Sequence, residues 1–216
     1  MPRHMPRFDL ALLNDATAAV SIVGAGELSH LSSVPAIRKA WSTIRLEALY
    51  ELAYLRVFAA WEMYLEALFY RSLCGYASVA GQEQLIRGYY FPSLAAAESD
   101  LLSGNAYALW HKPQKVIDRC QRYIRSGAGC PCVQEATITA NVANLVHLAS
   151  TRHRIAHNQP DARTKFDAAT LHFAGRTYHG SRPGKFLRDY DTSKTPPQRW
   201  LEVTVTELSS LMSQMV

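Results

Sequence analysis

One short stretch of the chain combines cationic and imidazole side chains that could act on a phosphate group. It runs from Arg152 to Asn158 and reads Arg-His-Arg-Ile-Ala-His-Asn. An imidazole titrates near neutral pH and can accept or donate a proton. A guanidinium remains charged and can bind phosphate oxygens through two parallel hydrogen bonds. Together these groups could cleave a phosphodiester without a metal ion, one moving a proton and the other stabilising the extra negative charge.

The stretch lies at the end of a predicted helix. Residues 137–156 contain no Gly or Pro, and one face is formed by Ile138, Val142, Leu145, Ala149, Arg152 and Ala156. An arginine on an apolar face needs a partner for its charge. Five sequence steps place Arg152 and His157 about 140° apart around an ideal helix. They could meet on one phosphate only if the helix end is distorted or a second chain contributes.

A second interpretation of the stretch is purely structural. Basic side chains at a helix C-terminus complement the helix dipole and cap the last carbonyl groups. The basic cluster lies at the C-terminal end of the predicted helix, where this effect acts. The residues alone leave both interpretations open.

The same stretch resembles the Arg-polar-x-x-x-His (Arg-x4-His) motif of the HEPN superfamily, the higher eukaryotes and prokaryotes nucleotide-binding proteins. It is most similar to the RiboL-PSP-like branch, whose members carry Arg-Asn-x-Ile-Ala-His. Arg152 matches the arginine of the motif, His153 the polar residue and His157 the histidine. Residues 58–62 and the segments 186–188 and 199–201 are also similar to that branch. The resemblance covers roughly residues 33–215 and leaves residues 1–30 and the Cys-Pro-Cys sequence outside it.

This resemblance implies an all-α fold, an HEPN-like antiparallel helical bundle with a loop or short-hairpin insertion before the C-terminal helix. Residues 1–216 would form a single HEPN-like domain, with residues 1–30 as an N-terminal extension and residues 159–199 as the insertion. Such bundles form homodimers in which two copies of the motif face a shared cleft. The interface is expected on the long helix of residues 33–74 together with the motif helix.

The resemblance also implies an activity. Many HEPN proteins are metal-independent endoribonucleases of toxin or antiviral-defence type, which cleave RNA by attack of the 2′-OH and need no cofactor. Arg152 would then stabilise phosphate charge, His157 would be the general acid or base, and His153 would orient the phosphate or His157. Arg154 and Asn158 are expected to bind substrate. Expected partners are RNA, a second copy of the chain and an antitoxin or other system component. The alternative is a non-catalytic RNA-binding or protein-interaction module of the same fold.

Glu62 is a candidate supporting residue on the long helix. It shares a helix face with the apolar side chains of Phe58 and Leu65, where a carboxylate needs a cation nearby. Arg152 is the obvious partner. The other possibility is that Glu62 lies at the edge of this face and is solvated. The aromatic residues of this helix are expected in the core or the dimer interface.

Composition indicates a soluble globular protein. Of 216 residues, 48% are hydrophobic and 19% charged, and the net charge of +5 is compatible with nucleic-acid binding. The longest uncharged stretches, 16–26 and 136–151, are shorter than the roughly 18–20 residues that cross a bilayer. Asp9 and Asp15 interrupt the region that a secretion signal would need to be apolar. We therefore expect a cytoplasmic protein that does not contact a membrane.

Cysteine usage favours neither disulfides nor a metal site. Only Cys130 and Cys132 are close together in the sequence, and no second pair stands at the spacing of a zinc site.

A further predicted helix carries a run of basic residues, formed by Lys112, Lys115, Arg119, Arg122 and Arg125. That basic run is either a solvated helix face or a surface that contacts phosphates.

Capping and turn residues predict the remaining elements. The predicted helices are Asp9–Val20 ended by Gly24 and Gly26, one long helix or two in line over 33–74, Ser93–Leu102, Pro113–Arg125, Ala162–Phe173, and a terminal helix from Thr206 or from near Pro197. Short strands are predicted at Arg176–His179 and Lys185–Arg188.

Overall fold

The computed structural model of the protein describes residues 3–78, 81–103, 108–125 and 131–215. These residues are mostly helical, as predicted. The helices are α1 (Phe8–His30), α2 (Pro35–Ala40), α3 (Thr43–Leu73), α4 (Leu94–Leu102), α5 (Pro113–Tyr123), α6 (Val133–Ala140), α7 (Val142–Ala156), α8 (Pro160–Ala174), α9 (Pro183–Arg188) and α10 (Trp200–Ser213). The strands are β1 (Arg3–His4), β2 (Tyr76–Ser78), β3 (Gly81–Gln82), β4 (Tyr190–Asp191) and β5 (Gln198–Arg199).

Strand pairing is limited to two small sheets. In the first, β2 is central, with β1 parallel to it in the register Arg3 opposite Tyr76 and β3 antiparallel to it. In the second, β4 and β5 pair antiparallel, with Tyr190 opposite Arg199. The second sheet closes the segment that leads into α10.

The chain forms two compact units, each assembled from separate segments. The first unit consists of Met1–Ala11, Trp61–Val146 and Ser209–Val216. Its core contains Phe69 and Trp110, whose ring centroids are 5.6 Å apart. The hydroxyl of Tyr64 donates to the carbonyl oxygen of Met212 at 2.8 Å, so the C-terminal segment is attached to α3 within this unit.

The second unit consists of Leu12–Ala60 and His147–Leu208. Phe186 lies at the centre of its aromatic core, 6.0 Å from the ring of Phe166 and 5.5 Å from that of Trp200. The buried hydroxyl of Tyr54 donates to the carbonyl of Leu148 at 2.8 Å. Residues 159–199 therefore supply part of this core through Phe166 and Phe186, both fully buried.

Helix α1 is longer than predicted. The expected end at Gly24 and Gly26 is wrong, because the helix continues to His30. A Cβ atom on Gly26 would lie 2.7 Å from Leu49 Cδ2 and 3.1 Å from Leu46 Cδ1. Gly26 thus allows α1 to approach α3 closely, and its role is packing rather than termination.

One helix in the described part of the chain, α1, is long and apolar enough to cross a membrane by length and composition alone. Its most apolar window has a mean hydropathy of 1.3, and 28% of that window is buried. The lengths of the uncharged stretches do not reveal this property of α1, because acidic residues are spaced along the helix. Leu10, Leu13 and Leu28 are exposed on its surface.

Helices α2 and α3 occupy the region predicted as one long helix or two. Pro35 is in the first turn of α2, and Gly75 follows α3 with a φ of +78°. The three- and four-residue spacing of the sequence also predicts an apolar stripe on this helix through Ile44 and Leu52, widened by Phe58. Ile44 and Leu52 are exposed, at 72% and 64%, whereas Phe58 is buried as predicted. The buried face also carries Tyr50 and Tyr54, because aromatic rings bury more apolar area and the two hydroxyls find partners.

The helix predicted over residues 137–156 is divided at Asn141. The side-chain amide of Asn141 donates to the carbonyl of Thr137 at 2.8 Å, and its φ of −118° leaves the helical range. This local hydrogen bond replaces a helical one, so α6 ends and α7 begins one residue later.

Both predicted strands before α10 are wrong. Residues 176–179 have no regular structure, and Lys185–Arg188 belong to α9. Pro183 occupies the first turn of α9, where its fixed φ suits a helix and its missing N–H costs nothing. The short hairpin lies further along the chain, at β4 and β5.

Candidate functional site

The sequence-predicted cluster lies at the C-terminal end of α7. The backbone N–H of His157 donates to the carbonyl of His153 at 2.9 Å, so the helical path extends to His157. The rings of His153 and His157 are 4.7 Å apart with an interplanar angle of 51°. Arg152 and His153 are half-buried, whereas His157 is exposed. The helix thus brings the two imidazoles together at the protein surface.

Burial and neighbouring cations lower the pKa of His153. Partial burial has the largest effect, followed by the charges of His157 and Lys165, while Asp161 opposes them. Lowering a histidine pKa from its ordinary value near 6.5 favours the neutral ring at pH 7. A neutral His153 can accept a hydrogen bond or a proton at this position.

Arg154 is held against the end of its own helix and the segment before α9. Its Nε donates to the carbonyl of Ser181 at 3.1 Å, and its Nη1 donates to the carbonyl of His157 and to Asn158 Oδ1 at 3.3 and 3.0 Å. Arg163 also donates to Asn158 Oδ1, at 3.0 Å. Arg154 and Asn158 therefore cap α7 in this structure, and their predicted role in substrate binding stays a prediction.

Ser181 is the residue that receives Arg154, and it has an unusual backbone. Its φ of +47° lies in the left-handed region, which a non-glycine residue adopts at a cost. Its hydroxyl donates to the carboxylate of Asp167 on α8 at 2.9 Å. Two fixed contacts, to Arg154 and to Asp167, thus hold this turn in place.

Glu62 belongs to the first unit and is buried, with 8% of its surface exposed. Its Oε2 lies 3.8 Å from Nδ1 of His111. The solvated alternative is therefore wrong. Arg152 belongs to the second unit, and its predicted pairing with Glu62 stays a prediction.

The basic face of α5 is only partly solvated. The guanidinium of Arg119 lies 4.6 Å from the ring centroid of Trp110, and burial lowers the pKa of Arg119.

Cys120 and Cys132 are buried free thiols, and Cys130 lies outside the described residues. Among the residues that are described, no three His, Cys, Asp or Glu side chains are grouped as a metal site requires.

Sequence reasoning missed an open cleft of about 620 Å³ in the second unit. Its walls are formed by Thr43, Glu47, Arg176, Thr177, Tyr178, His179, Lys185, Arg188, Asp189, Tyr190 and Arg199. Lys and Arg outnumber the carboxylates in these walls, so the cleft is basic. The available signal was the concentration of arginines between residues 176 and 199, which the sequence could not place on one surface.

Glu27 of α1 positions two of these arginines. Its carboxylate accepts from Arg188 Nε at 2.9 Å and from the Tyr50 hydroxyl at 2.9 Å, and Arg199 lies at 3.2 Å. Burial raises the pKa of Glu27, but the hydrogen bonds from Arg188 and Tyr50 and the charge of Arg199 outweigh it and lower the pKa. Glu27 therefore remains ionised and holds both guanidiniums.

Replacing Glu27 by Gln is expected to lower the free energy of unfolding by about 2 kcal/mol, because two partly buried arginines lose their counter-charge. Since the folded-state pKa is lowered, the stabilisation is complete above the ordinary pKa of a glutamate and is lost as the pH falls through the lowered value. Urea unfolding of both proteins at pH 7 and in acid measures the difference. Asp15→Asn, which breaks the exposed Arg56–Asp15 pair, is the control and should change stability by less than about 0.5 kcal/mol. Equal losses in the two variants would contradict this role of Glu27.

The end of α7 and the basic cleft are connected through one turn of the second unit. Ser181 binds Arg154 through its carbonyl and follows His179, a residue of the cleft wall, by two positions. Both features present cations to solvent, which suits phosphate-containing ligands.

The chain matches no protein-family model, no curated protein and no solved structure.

Proposed function

We propose that this protein is a metal-independent endoribonuclease of the HEPN type that acts as a toxin or in antiviral defence. The observation that supports it best is the pair of imidazoles, His153 and His157, whose rings are 4.7 Å apart on the helix end that also carries Arg152. One guanidinium beside two imidazoles provides both a charge stabiliser and a proton carrier.

In the proposed reaction the 2′-oxygen of a ribose attacks the adjacent phosphorus, and the bond from phosphorus to the 5′-oxygen breaks. His157 accepts the proton of the 2′-OH or donates one to the leaving 5′-oxygen. Arg152 binds the phosphate oxygens, whose negative charge increases in the transition state. His153, neutral at pH 7, orients the phosphate or His157. The products are a 2′,3′-cyclic phosphate and a 5′-hydroxyl.

A homodimer would complete this site. Arg152 and His157 point about 140° apart around one helix, so the arginine of one copy and the histidine of another can share a phosphate more easily than two from one chain. The exposed apolar residues Ile44 and Leu52 on α3 are available for such an interface. This arrangement corresponds to the antiparallel HEPN-like bundle that the motif implies.

Incubation of the purified protein with single-stranded RNA tests the proposal. We expect cleavage that continues in EDTA and leaves 2′,3′-cyclic phosphate and 5′-hydroxyl ends, because the nucleophile is internal and the charge stabiliser is an arginine. End labelling with a polynucleotide kinase identifies the 5′-hydroxyl. Products with 5′-phosphates, or loss of cleavage in EDTA alone, would contradict the mechanism. Binding of RNA without cleavage would favour the non-catalytic module.

A further inference from the structure

The basic cleft of the second unit is not used in the proposed cleavage of RNA. Its volume of about 620 Å³ falls within the range of about 300–1,000 Å³ typical of sites for small molecules. The site is formed by three parts of the chain: the start of α3, residues 176–179 and the region from α9 to β5. The side chains of its walls indicate which class of ligand it would bind.

The arginines of the cleft are held in place by carboxylates. Arg176 forms an ion pair with Asp189, and Arg188 and Arg199 are held by Glu27. A guanidinium carries five N–H donors, and among the described residues the Arg188 guanidinium donates from Nε and Nη2 to Glu27. Donors therefore remain for a ligand on side chains that are already ordered, which reduces the entropy lost on binding.

Lys185 is a further cation of the cleft, and it differs from the arginines in that no carboxylate among the described residues pairs with it. It lies on α9 in the cleft wall and is exposed. Within the described part of the chain, its ammonium group has neither a hydrogen bond nor an ion pair. An ammonium without a counter-charge beside fixed guanidiniums creates a positive potential that attracts an anion. Phosphate groups match this combination, since guanidinium and ammonium groups are their usual partners in proteins.

The cleft also offers an aromatic surface. Tyr190 is 47% exposed, and the guanidinium of Arg199 lies 4.6 Å from the centroid of its ring. Tyr178, by contrast, is buried and donates its hydroxyl to Asp189 at 2.6 Å, so it forms the wall rather than a contact for a ring. An exposed tyrosine beside a phosphate site is suited to stacking against a planar base.

We propose that this cleft binds a nucleoside phosphate, with the phosphates contacted by Arg176, Lys185 and Arg188 and the base stacked against Tyr190. The site is distinct from Arg152, His153 and His157. It requires no cleavage of RNA, and failure of the proposed ribonuclease activity would leave it unaffected.

Isothermal titration of the purified full-length protein with ADP, inorganic pyrophosphate and adenosine tests this proposal. ADP should bind most tightly, and pyrophosphate roughly tenfold more weakly because it lacks the stacked base. Lys185→Gln should weaken ADP binding by about tenfold through loss of a phosphate contact. Lys165→Gln removes the same charge on α8, outside the cleft, and should leave ADP binding unchanged.

Variants at Tyr190 separate the base contact from the phosphate contact. Tyr190→Ala should weaken the binding of ADP but not of pyrophosphate, whereas Tyr190→Phe should bind both like the wild type. All substituted side chains are exposed, and urea unfolding verifies that each variant is folded. Equal affinity for ADP and pyrophosphate would overturn the base contact.

Three further results would overturn the whole proposal. The first is the absence of ADP binding below about 1 mM, and the second is ADP binding that Lys185→Gln does not change. The third is binding of a single-stranded RNA oligomer, but not of ADP, that Lys185→Gln abolishes, because the cleft would then hold an RNA backbone. RNA cleavage, measured separately, reports on the α7 cluster alone.

Discussion

Arg152→Ala and His157→Ala are each expected to lower the rate of RNA cleavage by at least ~10²-fold. Removing Arg152 withdraws the only charge assigned to the phosphorane, and removing His157 withdraws the proton carrier; losses of this size are typical for such groups. Single-turnover rates with excess enzyme measure the chemical step. Arg38→Ala, which removes an exposed arginine from α2, is the control and should cleave at the wild-type rate.

Mixing the two inactive variants tests whether each site is shared between chains. If Arg152 of one copy acts with His157 of the other, a heterodimer of Arg152→Ala and His157→Ala keeps one intact site of two. Random assembly makes half of the dimers mixed, so about a quarter of the wild-type activity should return. No recovery in verified heterodimers would assign both residues to one chain. Full activity of both single variants would contradict the assignment of these residues altogether.

Gly184→Ala is expected to lower the free energy of unfolding by about 3 kcal/mol, at the upper end for overpacked sites. A Cβ atom at this position would lie 2.3 Å from the carbonyl oxygen of Glu47 and 2.6 Å from its carbonyl carbon. Both atoms belong to the backbone of α3, which cannot move aside as a side chain could. Helix α9 would have to shift, weakening the hydrogen bond from Gly184 N to Glu51 at 2.9 Å and the Arg182–Glu47 ion pair.

Urea unfolding of the variant measures this loss, and Gly24→Ala provides a matched control. Gly24 lies within α1, and a Cβ atom there would meet nothing within 4 Å. Alanine is a better helix former than glycine by up to about 1 kcal/mol, so Gly24→Ala should be neutral or stabilising. A Gly184→Ala protein as stable as the wild type would show that α9 is not in close contact with α3.

Sequence reasoning succeeded where the signal is local. Helix α4 begins at Ser93, whose hydroxyl accepts from Ala96 N at 3.2 Å, and α8 ends at Gly175 with a φ of +64°. Such caps depend on residues within one turn. The cluster from Arg152 to Asn158 is also continuous in sequence, so the sequence alone places its side chains near one helix end, while their role in cleavage stays a prediction.

Two of the errors share a physical cause, which is a contact with a distant part of the chain. The sequence indicates a helix terminator at Gly26, because the packing of this residue against Leu46 and Leu49 is invisible in the sequence. The sequence does not reveal the basic cleft either, because Glu27 holds Arg188, which lies 161 positions further along the chain, and Arg199. The predicted N-terminal extension of residues 1–30 thus contains α1, which supplies this carboxylate.

The discontinuous composition of the two units affects how the protein folds during synthesis. The contact between Gly184 and Glu51 joins residues 133 positions apart, and the unit that contains them needs residues up to Leu208. At about 5–20 residues per second, a ribosome needs on the order of ten seconds between these two points. Aromatic residues of α3 that are buried in the folded protein, such as Tyr50 and Phe58, therefore lack part of their unit during that interval. Loop closure over such distances is slow, and Glu27 can hold Arg188 and Arg199 only after both have been synthesised, so the cations of the cleft become ordered late in synthesis.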